Sequence, residues 1–149
     1  MGGMHTEVGQ ANVLLAPSAN ARVLGRIQWS KRGSARVGRV PVDARGLLDP
    51  ESARLEFTVS VLRPTEPKIV YLADGASIRR LCVNTPHDPH TGTHKHRVSG
   101  DPVGDAYEPT DIPAIELDAE PPPGAHREIL EAFAAECFID VGDLEWTDP

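Results

Sequence analysis

Over residues 55–61 the chain alternates without a break. Leu55, Phe57, Val59 and Val61 are apolar, while Glu56, Thr58 and Ser60 are polar. Neighbouring side chains on a strand point to opposite faces, so this pattern specifies a strand with one buried and one wet face. Such a strand needs partners on both edges and a cover on its apolar face. The sequence offers both. Residues 68–73 and 76–83 are strand-like and meet at Asp74-Gly75, a strong hairpin signal. Residues 22–29 and 35–42 form a second pair around Lys31-Arg32-Gly33-Ser34, with Pro41 restricting the latter run to a sheet edge or a strand end. Pro64 and Pro67 bracket an expected loop, and residues 112–117 form a short strand candidate.

One helix is predicted, over residues 126–138. Ile129, Leu130, Phe133, Ala134, Cys137 and Phe138 make a single apolar stripe, with Arg127, Glu128, Glu131 and Glu136 opposite. The expected architecture is α+β, a single domain in which an antiparallel twisted sheet is covered by this C-terminal helix. Residues 1–20 are read as a poorly ordered or edge segment, 21–141 as the domain and 142–149 as an acidic tail. A chain of 149 residues suits one core. No apolar run approaches the roughly 18 residues of a membrane span, and two cysteines without a framework read as buried thiols, so a cytoplasmic location without membrane contact is expected.

Charge is unevenly placed. The net charge is −7, but residues 1–100 carry +6 and residues 101–149 carry −13. The early cations Arg26, Lys31, Arg32, Arg36 and Arg39 offer a surface for nucleic acid, and the acidic C-terminal half offers one for a protein partner. The two halves neutralising each other within the fold is the competing reading.

Four of the six histidines, His87, His90, His94 and His96, fall within ten residues. Pro86, Pro89 and Gly92 hold this stretch out of helix and strand interiors, so a His-rich loop between two strands is expected. His94 and His96 share a face if their segment is extended. Adding His87 gives three nitrogen ligands for a divalent metal such as zinc with an open position. Alternatively, His87, His94 and His96 supply acid and base, and Arg80 (or Arg79 or Arg97) holds a phosphate, as in a toxin-like, metal-independent ribonuclease. A non-catalytic interaction module of antitoxin or regulator type is the third reading, with the histidines fixing loop carbonyls. Asp101 and His126 extend the histidines toward a cupin pattern, but His126 opens the predicted helix, which speaks against a cupin. No nucleotide-binding glycine motif, Cys-x-x-Cys pair or nucleophile elbow is present.

The order Arg79-Arg80-Leu81-Cys82, Pro86-His87, His94-Lys95-His96 and Glu131-Ala-Phe-Ala-Ala-Glu-Cys137-Phe-Ile139 resembles a family of small, uncharacterised prokaryotic and phage-encoded proteins. Pro86, His87, His94, His96 and the Phe133/Cys137/Ile139 spacing match its pattern over roughly residues 50–140. Cys82 stands where that family has an acid, and Lys95 where it has an apolar residue. The resemblance implies a prokaryotic or phage origin and a site at the histidines, with no reaction attached.

Overall fold

In the computed structural model the 55–61 alternation lies in β4 (Ala53–Ser60), with Ala53, Leu55, Phe57 and Val59 buried and the residues between them half-buried. The structure describes residues 14–44, 53–85, 92–97, 106–116 and 120–149. β5 (Arg63–Ala73) returns antiparallel to β4, placing Ile69 opposite Phe57 and Tyr71 opposite Leu55. β6 (Ala76–Cys82) follows through Asp74 and Gly75, both at positive φ (52° and 79°), as a two-residue hairpin turn of this chemistry requires.

Before β4, β1 (Ala21–Val23) and β2 (Gln28–Arg32) run in succession along one edge of β3 (Ala35–Asp43). Their break at residues 24–27 explains how Pro41 sits in β3, an interior strand. The Pro41 carbonyl accepts from the Leu24 amide at 3.0 Å, and the proline nitrogen, which has no proton to give, faces the gap. Beyond β6 the sheet continues with β7 (His94–Arg97) and β8 (Ala106–Tyr107), so the end of the expected His-rich loop is strand, paired to β6 past the last of its prolines and glycine.

Ladder register carries one row of side chains across seven of the nine strands, β2 to β8, on the core face of the sheet. Trp29, Gly38, Phe57, Ile69, Leu81, Lys95 and Tyr107 are successive partners. Helix α1 (Ala125–Glu136) covers this face with Ile129, Leu130, Phe133 and Ala134, all fully buried. Burying each of the larger three contributes on the order of 2 kcal/mol. His126 fixes the start of the helix: its Nε2–H donates to the Pro64 carbonyl at 2.7 Å, and its ring meets Phe57 edge-on at 5.6 Å. Leu14 and Leu144 join the core from the ends of the described chain. Trp146 packs edge-on against both Trp29 and Phe57, with centroids 5.7 Å apart in each pair, so Trp29 is a packing residue.

The α+β, wholly antiparallel expectation is corrected. Among the described residues there are nine strands and one α-helix, joined in a single curled, mixed sheet. After α1, Phe138 adopts φ 57° and the chain folds back, so that β9 (Ile139–Asp140) pairs parallel to β1. Arg26 and Glu145 bridge in the same parallel sense. The helix covering the sheet is as expected, but it ends at Glu136, and the left-handed turn leaves Phe138 half-exposed instead of packed. Val61 is also exposed, because it belongs to the β4–β5 turn.

The stretch around Pro64 and Pro67 is strand, not loop. Thr58 pairs with Lys68 and Ser60 with Arg63, so both prolines fall in the extra length of a bulge where no ladder donor is needed. Residues 112–116 form no strand, although Ile115 is buried.

Candidate metal centre

β7 is four residues long and sends alternate side chains to opposite faces of the sheet. His94 and His96 project away from α1, where their ladder partners on β6 are Cys82 and Arg80. These four residues form a square on one face. Cys82, His94 and His96 are 4%, 1% and 5% exposed. The Cys82 sulfur and one nitrogen from each imidazole lie within 4.8 Å of one another. The two rings meet edge-on with centroids 4.8 Å apart.

His94 is oriented by its surroundings. Its Nδ1 lies 3.0 Å from the Gly92 carbonyl, which can only accept, so Nδ1 carries a proton and Nε2 is the nitrogen left to ligate a metal. Metal-binding histidines are held in their ligating tautomer by this kind of contact. Tetrahedral zinc with bonds of about 2.0–2.3 Å spaces its ligand atoms roughly 3.3–3.8 Å apart. About 1 Å of side-chain closure therefore brings the triad onto an ion. One thiolate and two imidazoles form a borderline-soft set suited to zinc or copper. Burial pushes the Cys82 thiol up, while the charges of Arg80 and Lys68 and a hydrogen bond from Arg80 pull it back.

Of the residues expected at the site, the structure brings His94, His96 and Arg80 together. His87 and His90, like Asp101, lie outside the described residues. Arg79 points to the opposite face, and Arg97 is its ladder partner. His126 is committed to the start of α1. Cys82 was read as a core thiol and is the residue that sequence reasoning missed. It shares strand parity with Arg80, but its pairing with His94 spans a long connection that carries no register signal.

On the core side the same strand builds a second cluster. Lys95 is fully buried, and its ammonium donates to both carboxylate oxygens of Asp111 at 3.0 Å and to Glu136 Oε2 at 2.5 Å. Arg79 donates to Glu136 Oε1 at 2.6 Å and to the Tyr107 hydroxyl at 2.7 Å, and that hydroxyl donates to Glu136 at 2.8 Å. Burial alone would raise the Glu136 carboxyl. Hydrogen bonds from Lys95 and Tyr107 and the charges of Lys95 and Arg79 outweigh it and hold the group below its usual range. Desolvation and the hydrogen bond to Glu136 push Tyr107 up to about 12. Two cations face two carboxylates, so the cluster is a charge-balanced clamp between β6, β7, α1 and the segment around Asp111.

No family model, curated protein or solved structure matches this chain. Among the described residues, no helix is long and apolar enough to cross a membrane.

Proposed function

We propose that this protein binds one divalent transition-metal ion, zinc foremost, through Cys82 Sγ and the imidazoles of His94 and His96. The observation that carries this is the convergence of three buried ligand atoms within 4.8 Å on adjacent strands. Three protein ligands leave a fourth position for water or a substrate atom, the arrangement of a catalytic rather than a closed structural site.

The decisive experiment is metal analysis of the purified protein, followed by zinc titration after chelation. One ion per chain is expected, with binding lost in Cys82→Ser, His94→Ala and His96→Ala. Cobalt loading should give thiolate-to-metal charge-transfer absorption in the parent protein and none in Cys82→Ser. A folded protein that takes up no zinc or cobalt would overturn the reading.

Arg80 beside His96 favours a second reading, in which the two histidines act as acid and base on a phosphodiester without metal. Cleavage of RNA that persists in chelator and is lost in His94→Ala would select it. Retention of neither metal nor cleavage leaves the interaction module.

A further inference from the structure

The alternation that buries Leu55, Phe57 and Val59 sends the other half of each strand to a face that α1 does not cover. On that face one ladder row runs Gln28, Arg39, Glu56, Val70, Arg80, His96, and the next runs Ser30, Val37, Thr58, Lys68, Cys82, His94. Arg54 and Arg32 stand in flanking rows. The face thus collects Arg32, Arg39, Arg54, Lys68 and Arg80 around the carboxylate of Glu56, while Asp43 and Glu66, of the same strand parity, are taken up by Arg22 and Arg63 at 3.7 and 3.9 Å.

Arg39 and Arg54 share Glu56 Oε2 at 3.2 and 3.3 Å, which leaves one of their two charges uncompensated. Arg32 and Lys68 are exposed and have no ion-pair partner among the described residues. Arg80 Nε is buried and has no hydrogen-bond partner among them. A surplus of four positive charges on one face of a chain whose net charge is −7 is strong segregation.

We infer that the exposed part of this sheet face, away from the buried Val37, Cys82, His94 and His96, binds single-stranded nucleic acid along its phosphodiester backbone. Arg39 and Arg80 are three strands apart, about 14 Å, so the cations suit a polymer of repeated charges better than one small anion. Thr58 stands among them with a hydroxyl that can donate to a phosphate oxygen, whereas those of Ser30 and Ser60 already donate to the Val37 carbonyl and Ser34 Oγ. The exposed large apolar residues, Val61, Leu62 and Phe138, lie in turns and not among these rows, so the face has nothing to insert into a bilayer. The helix is on the other side, and a broad sheet enters a duplex groove poorly. With no aromatic residue in these rows to stack on bases, binding should be indifferent to sequence.

The cations first read from sequence divide here. Arg32 and Arg39 lie on this face, Lys31 and Arg36 are ladder partners on the opposite one, and Arg26 pairs with Glu145 at 3.1 Å.

The test is fluorescence anisotropy with a labelled oligouridylate of roughly 16 nucleotides in chelator, so that failure of the metal reading leaves it intact. Four phosphate contacts predict a log–log salt slope of about −3, an affinity loss of about fiftyfold between 50 and 200 mM salt. Substituting Arg32→Gln, Arg54→Gln and Lys68→Gln together should cut the slope to about −1. The Arg26→Gln/Lys31→Gln control should leave it unchanged. The inference is overturned by absence of binding at low salt, by equal loss in the control, or by preference for duplex or anionic vesicles over the single strand.

Discussion

Lys95 Nζ donates to Glu136 Oε2 at 2.5 Å, tying the middle of β7 to the last residue of α1. Because Lys95 lies between His94 and His96, the strand that carries both imidazoles is clamped from the opposite face. Its two partners are unequally dependent on the bond. Glu136 also has Arg79 and Tyr107, whereas Lys95 is fully buried and among the described residues otherwise has only Asp111.

Glu136→Ala is therefore expected to destabilise the fold by about 3 kcal/mol, since it strips a buried ammonium of its closest partner. Lys95→Met should cost about 1 kcal/mol or less. Asp111, with 42% of its side chain exposed, can return to water, and a methionine fills the apolar row. Urea denaturation of both variants checks the asymmetry. Equal losses would show that the charge balance, and not Lys95 desolvation, dominates.

The same carboxyl sets an acid limit. Its folded pKa lies below its unfolded value, so the folded state binds fewer protons and protonation favours unfolding. The contribution is fully present above the ordinary carboxylate range and is lost as pH falls through the depressed folded value. The stability gap between the parent protein and Glu136→Gln should hold from pH 7 to about pH 5 and narrow below about pH 4. Denaturation midpoints across that range measure it. A gap that widens on acidification would contradict the sign.

The sheet was legible where local chemistry decides it. Alternation in β4 and the Asp74-Gly75 turn need only neighbouring residues, and so does the apolar stripe of α1. What the sequence concealed depends on distant partners. Two-residue β9 acquires its parallel pairing with β1 only through the turn at Phe138, and Pro64 and Pro67 look like loop until a bulge gives them room. The site divides in the same way. The shared face of His94 and His96 follows from strand parity, but Cys82 enters only through the β6–β7 register, and the role of Lys95 emerges only once Glu136 and Asp111 are placed around it.

Gly38 is a case where the absence of a side chain is structural. A Cβ there would lie 2.6 Å from Ile27 Cδ1 and 2.8 Å from the Trp29 ring. The isoleucine tip can give way, but Trp29 is held by Phe57, Trp146 and a 2.8 Å bond from its Nε1–H to the Thr147 carbonyl. Gly38→Ala should cost about 1–3 kcal/mol through overpacking. It should also disturb the near-ultraviolet signal of the two tryptophans, which a mere change in backbone propensity would leave alone.

Tyr71 presents the opposite problem, a group too many. It is fully buried between Leu55 and Arg79 in the ladder, and its hydroxyl has no hydrogen-bond partner among the described residues. Desolvation, with a smaller contribution from the nearby Cys137 thiol, pushes its pKa well above the ordinary phenol value. A buried hydroxyl without a partner costs roughly 1–3 kcal/mol of desolvation, and phenylalanine keeps the ring while removing that cost. Tyr71→Phe should therefore raise stability by about 1 kcal/mol, read as a higher denaturation midpoint with an unchanged slope. A loss of that size would mean that the hydroxyl is satisfied by an internal water, and the core beneath α1 would then have to be wet at this point.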